Sequence, residues 1–226
     1  MLMNATQKLP KPLRHILFDL DGTLVDSVRI TCTIIDSMLA ERGLAHRADP
    51  ALARAMDAMG GVAMISAVMG VHARDPAADL AEFRARHAVA ATPADLPFPG
   101  VVPALSRLAA AGIGLGICSN KPQALCTKIL GDLGLAGHFA AIVGAQPDLP
   151  RKPAPDAARL ALARMQADPG QCLYVGDSAV DVATAAAAGL PVALVAWGYG
   201  FEAARAAAPD TMVLHDLAEL AVHSDE

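Results

Sequence analysis

Acidic, hydroxyl, amide and basic side chains recur in this sequence directly after short apolar bursts. Arg14 to Asp19 (RHILFD) runs into Asp19-Leu20-Asp21-Gly22-Thr23, and Gly114 to Cys118 runs into Ser119, Asn120 and Lys121. Cys172 to Val175 runs into Gly176, Asp177 and Ser178, with Asp181 shortly after, while Arg151, Lys152 and Pro153 stand ahead of a segment with helical spacing at 155–166. Carboxylates and a lysine gathered in one place repel one another or are badly solvated unless something organises them. A hard divalent cation does so, Mg²⁺ above all, which takes a few carboxylate oxygens and completes its shell with water and ligand phosphate. An acidic floor with a hydroxyl, an amide and one cationic amine fits a metal-bridged phosphate, and Gly22 lets the backbone turn tightly enough for its N–H groups to approach an anion. Each residue alone has a plainer reading. An aspartate at a strand end caps a helix, Ser119-Asn120 caps a helix over 122–133 with Pro122 at its first position, and Lys152 is a solvated charge. Independent caps, however, do not require an acid pair spaced i, i+2, a lysine and a second acid pair spaced i, i+4 at successive strand ends.

The elements that must position these groups follow from the same pattern. Further bursts at 141–143 and 192–195 alternate with helical spacing at 101–111, 122–133, 155–166 and 179–188. This predicts an α/β fold, a doubly wound parallel sheet with helices on both faces, whose ligands sit outside the carboxyl ends of the strands. Between Asp26 and Ala94 the bursts stop. Helical patterns broken at Gly43, Gly60-Gly61 and Asp75-Pro76 predict an inserted α-helical domain over 26–95, leaving 1–25 and 96–226 as the α/β core; the alternative is that these helices form one layer of the main domain.

Composition narrows the function. The 226 residues are 54% apolar and 18% charged, ample for a packed core, and 18 Lys plus Arg against 23 Asp plus Glu leave a formal charge of −5. That balance is wrong for neutralising nucleic-acid phosphates over a wide surface. Cys32, Cys118, Cys126 and Cys172 show no metal-knuckle or redox spacing and read as buried thiols of a reducing compartment. No apolar run is long enough for a membrane span, and Met1 to Pro12 lacks a signal-peptide core. The expectation is a cytoplasmic protein, monomer or homodimer, with no nucleic-acid or membrane partner.

Asp19-Leu20-Asp21-Gly22-Thr23 resembles the first signature of the haloacid dehalogenase (HAD) superfamily, most of whose members are phosphatases. Ser119-Asn120 is similar to the second signature, Lys152 in Lys-Pro-Ala-Pro-Asp to the third, and Gly176-Asp177-Ser178 with Asp181 to the fourth. The resemblance spans 15–195 in the family's order and implies a HAD-like Rossmannoid core with a helical cap. It implies Asp19 as nucleophile, carrying a phosphoaspartate, and Asp21 as general acid and base. Thr23, Ser119 and Lys152 would hold phosphoryl oxygens, with Asn120 beside them. Mg²⁺ would be bound by Asp19, the Asp21 carbonyl and Asp177, with Asp181 contributing directly or through water. The absence of lysine between Asp26 and Ala94 excludes the phosphonate-cleaving branch, and Gly176 stands where the β-phosphoglucomutase-like branch typically carries an extra acid. Size, cap type and the Trp197-Gly198-Tyr199-Gly200 run resemble the phosphoglycolate phosphatases. The expected partner is therefore a small phosphorylated metabolite, 2-phosphoglycolate foremost. A mutase, a pyrophosphatase, a generalist sugar-phosphate phosphatase and a catalytically silent metal-binding module are the alternatives. An acidic leaving group would want a cap cation, for which Arg29, Arg47, Arg54 and His72 are available.

Overall fold

Burial on both faces is what makes the apolar bursts strands. In the computed structural model, which describes residues 9–223, Ile16, Leu17 and Phe18 of the first burst are fully shielded from solvent although successive side chains point to opposite faces. Six strands, β1 (His15–Phe18), β2 (Gly114–Pro122), β3 (Phe139–Ala145), β4 (Cys172–Gly176), β5 (Val192–Val195) and β6 (Met212–Leu214), form one sheet in the order β3-β2-β1-β4-β5-β6. All of its pairings are parallel. The chain starts in the middle and grows outward first to one side and then to the other, so the order reverses between β1 and β4. A crevice opens at such a switch point beyond the carboxyl ends of the two strands.

Helices α1 (Val28–Glu41), α2 (Pro50–Met56), α3 (Gly61–Met69) and α4 (Pro76–Val89) follow β1, and α5 (Val101–Ala110), α6 (Gln123–Asp132), α7 (Asp156–Met165), α8 (Ala179–Ala188) and α9 (Phe201–Ala207) alternate with the later strands. By internal contacts the chain divides into two compact units: Asp26–Leu96, and the segment up to Val25 joined with Pro97 onward. In the first of these, Asp49 and Asp75 cap α2 and α4 through their side chains, each followed by a proline at the start of the helix. Arg42, the capping residue just past α1, binds Asp79 and Glu82 of α4 at 2.7 and 2.8 Å. In the α/β unit, Leu17, Cys118, Val143 and Tyr174 pack against Ala157, Ala158, Ala161, Leu162 and Met165 of α7 and Ala185 of α8. The small alanines let α7 lie close to the sheet.

Three local expectations change. Ser119 to Pro122 do not cap a helix from 122; they continue β2 beyond a register shift against β3, and α6 begins at Gln123. The strand expected at 141–143 extends over Phe139–Ala145, and α9 with the short edge strand β6 lies past the last expected strand. Among the described residues, no helix is long and apolar enough to cross a membrane.

Candidate active site

The ends of β1 and β4 are adjacent, and the backbone ladder continues one step past β1, where Asp19 N donates to Val175 O at 2.9 Å. This fixes Asp19 at the switch point. The chain then turns on itself, with Leu24 N and Val25 N both donating to Leu20 O and Gly22 N donating to Val25 O. Gly22 has φ +76°, and a Cβ there would lie 2.7 Å from Asp177 Oδ2. Asp177, the first residue past β4, is gripped from several sides: Thr23 Oγ1 donates to its Oδ1 at 3.3 Å and Gly200 N to its Oδ2 at 2.9 Å. A Cβ on Gly198 would lie only 2.0 Å from Asp177 Cβ. The glycines of the Trp197–Gly200 run therefore let that loop close onto Asp177, while Trp197 Nε1 donates to Thr23 O at 3.1 Å. Thr23 is fully buried, and its hydroxyl points at Asp177.

Lys152 comes from the loop before α7 and reaches under the sheet rim. Asn120 holds its backbone from both sides, accepting from Lys152 N at 2.9 Å and donating to Lys152 O at 3.1 Å. The ammonium lies 2.7 Å from Asp181 Oδ1, 3.1 Å from Cys118 O, 3.2 Å from the Tyr174 hydroxyl and 2.8 Å from Asp19 Oδ1. An ammonium has three N–H donors. Three donors thus face four oxygens, so Asp19 Oδ1 shares the ammonium with Asp181, Cys118 O and Tyr174 and is underserved in its buried position.

The charges respond accordingly. Burial, reinforced by the nearby Asp181 and Asp21 carboxylates and opposed by Lys152, pushes the Asp19 carboxyl up to about 7. Burial also works to raise Asp181, but Lys152 and the Ser178 hydrogen bonds outweigh it and hold Asp181 below the ordinary carboxylate range. Lys152, shared by both acids, is raised well above an ordinary lysine despite its burial. One lysine thus satisfies one carboxylate and leaves the other short of positive charge.

Carboxylate oxygens of Asp19, Asp177 and Asp181 all lie within 4.8 Å of one another. An orphaned, buried Asp19 oxygen in an all-oxygen donor set suits a hard divalent cation, so the residues fit a metal. Asp181 is in the cluster by distance, but its oxygens are occupied. Oδ1 faces Lys152 and Tyr174, and Oδ2 accepts from Asp177 N, Ser178 N and Ser178 Oγ while Asp181 closes a capping box at the start of α8. Direct coordination by Asp181 would displace one of these donors.

Of the residues expected from the sequence, Asp19, Lys152, Asp177 and Asp181 are in direct contact or nearly so. Asn120 acts on the Lys152 backbone, and Ser119 is buried at the end of β2, accepting from Lys121 N at 3.3 Å. Asp21 pairs with Lys121, whose Nζ lies 3.0 Å from Asp21 Oδ1. Sequence reasoning gave no role to Lys121 or Tyr174. The first was visible as a third polar residue after a burst; the second was hidden inside an apolar run, where only its hydroxyl marked it.

The chain matches the haloacid dehalogenase-like hydrolase family over residues 13–189. It is 38% identical over 197 residues to a phosphoglycolate phosphatase from Rhodospirillum rubrum, covering 84% of this chain and 82% of the relative. With a phosphoglycolate phosphatase from Xanthomonas campestris it shares 39% identity over 191 residues, 82% of this chain and 84% of the relative. A haloacid dehalogenase-like family hydrolase from Streptococcus pneumoniae superposes with a TM-score of 0.73 at 22% identity, over 94% of this chain and 99% of that one, and so shares the fold. The chain belongs to the haloacid dehalogenase-like hydrolase family. It is an enzyme of the phosphatase kind.

Proposed function

We propose that this phosphatase hydrolyses small phosphomonoesters, 2-phosphoglycolate foremost, through a phosphoaspartate on Asp19. The observation that carries the reading is the Asp19 carboxylate held at the strand switch point 2.8 Å from the Lys152 ammonium, with Asp177 beside it. An Asp19 oxygen attacks phosphorus as the bond to the leaving oxygen breaks, and Asp21 passes its proton to the departing alkoxide. Asp21 then takes a proton from the water that attacks phosphorus, releasing phosphate and regenerating the Asp19 carboxylate. Lys152 and Ser119 hold the equatorial phosphoryl oxygens, and Asp181 keeps the ammonium of Lys152 in place. Thr23 acts on Asp177 rather than on the phosphoryl group. The carboxylates of Asp19 and Asp177 and the Asp21 carbonyl would hold a divalent ion, for which Mg²⁺ suits the oxygen donors. That ion supplies the positive charge that lets an anionic nucleophile approach an anionic ester.

The phosphotransfer alternative is disfavoured by packing. A Cβ on Gly176 would lie 2.5 Å from both Cβ and Cγ of Asp181, so the extra acid of the mutase-like branch has no room on this backbone. The relatives named phosphoglycolate phosphatase favour the small acidic ester as substrate. The test is kcat/KM for 2-phosphoglycolate, pyrophosphate and sugar phosphates with Mg²⁺ and with chelator. The expected result is Mg²⁺-dependent release of phosphate with 2-phosphoglycolate preferred; equal weak rates on all of them would overturn the substrate assignment.

A further inference from the structure

The leaving group of an acidic ester needs a cation, and those named in the helical insert have partners within that unit. Arg29 Nη2 reaches both oxygens of the Asp95 carboxylate at 3.0 Å while Nη1 donates to Asp95 O at 2.8 Å, and Arg54 binds Asp26 at 3.0 Å. Arg47 lies 3.4 Å from Asp36, and the His72 ring packs on His46 at 5.0 Å between centroids. The α/β unit supplies a different one. Lys121 sits at the end of β2, and its backbone is fixed on three sides: its N–H donates to Ser119 Oγ, its carbonyl accepts from Cys126 Sγ, and Gly144 packs so closely that a Cβ there would lie 2.8 Å from Lys121 O. Its side chain is only 10% exposed, and its Nζ lies 3.0 Å from Asp21 Oδ1.

Resting on the phosphatase reading above, we propose that Lys121 is a specificity residue that binds the carboxylate of a 2-phospho-hydroxy acid substrate. To protonate the leaving oxygen, Asp21 must come within about 3 Å of it. Lys121 Nζ is then on the order of 6 Å from that oxygen. In an ester of the form P–O–CH₂–COO⁻ the carboxylate oxygens lie roughly 3 Å from the ester oxygen by ordinary bond lengths, which spans the remaining gap. A lysine ammonium has three donors, so Lys121 can keep its bond to Asp21 while it donates to the substrate carboxylate. The substrate class is a short phosphomonoester with an anionic group one carbon from the ester oxygen. A neutral or longer leaving group makes no such contact.

The experiment compares 2-phosphoglycolate with ethyl phosphate, which lacks the carboxylate, in the wild type, Lys121→Met and Lys121→Arg, with circular dichroism to check folding. The proposal expects kcat/KM of Lys121→Met for 2-phosphoglycolate to fall about ten- to hundredfold, chiefly through KM, as removal of a charged hydrogen-bond donor does. Ethyl phosphate turnover should fall severalfold less than that, so that the preference for 2-phosphoglycolate over ethyl phosphate narrows by roughly tenfold or more, and Lys121→Arg should recover part of that preference. An equal fall for both esters would assign Lys121 to positioning Asp21 and overturn the proposal, as would no change for either. If the wild type hydrolyses neither ester with Mg²⁺, the phosphatase reading itself fails; if it hydrolyses both without preference, only the role of Lys121 does. Lys121→Gln, which keeps the stem and a donor, provides the same comparison should the methionine variant not fold.

Discussion

Replacing Asp19 should stabilise the metal-free protein. Asp19 ordinarily titrates near 3.8, but burial beside two other carboxylates lifts it to about 7 in the fold. Between these values the native state binds a proton that the unfolded chain has released, so stability falls as pH rises through the window and is level above it. At about 1.4 kcal/mol for each pH unit, the accumulated cost at pH 8 is about 4 kcal/mol. Asp19→Asn keeps the shape and removes the charge, and therefore this slope. For a chain of this size about 1 kcal/mol moves Tm by roughly 2–4 °C, so the variant should melt on the order of 10 °C above the wild type at pH 8 in chelator. The gap should close towards pH 4. Added Mg²⁺ should stabilise the wild type more than the variant, because the ion supplies positive charge beyond what Lys152, shared between Asp19 and Asp181, provides. The assay is thermal unfolding by circular dichroism from pH 4 to 8 with and without Mg²⁺. Equal melting at all pH values, or a less stable variant at pH 8, would mean that Asp19 is already balanced by Lys152 alone and carries no such cost.

Two further substitutions probe the supports of the site. Gly198→Ala places a Cβ 2.0 Å from Asp177 Cβ and must displace that carboxylate; Mg²⁺ affinity, titrated through activity, should weaken roughly tenfold or more, and an unchanged titration would mean Asp177 does not hold the ion. Asn120→Ala releases both hydrogen bonds that fix the Lys152 backbone; kcat should fall about ten- to hundredfold with KM little altered, whereas an unchanged kcat would show that Lys152 is held by its ion pairs alone.

The parallel sheet and its acidic strand ends were legible because a strand buried on both faces must be apolar throughout and stop where polar residues begin, as Ile16 to Phe18 do before Asp19. The site order followed from the sequence for the same reason. What local pattern could not reveal depends on pairing with distant chain. Ser119 to Pro122 look like a helix start and become strand only because β3 lies beside them. The three-residue edge strand β6 is partly exposed at Met212 and Val213 and lacks a strong apolar burst. The hydroxyl of Tyr174 gains its meaning from Lys152 and Asp181, and the second task of Asp181, anchoring Lys152, shows only in its hydrogen bonds. The Lys121 to Asp21 pair likewise joins residues 100 positions apart in the chain, so neither residue signals the other locally.

In the proposed reaction Asp19 accepts phosphorus at this strand switch point. Its most direct test is to mix the enzyme with Mg²⁺ and 2-phosphoglycolate, quench with borohydride during turnover, and map the modified peptide by mass spectrometry. Reduction of a phosphoaspartate should convert Asp19 alone to homoserine, and only when substrate and Mg²⁺ are both present. Modification of a different residue, or sustained turnover by Asp19→Asn, would contradict it.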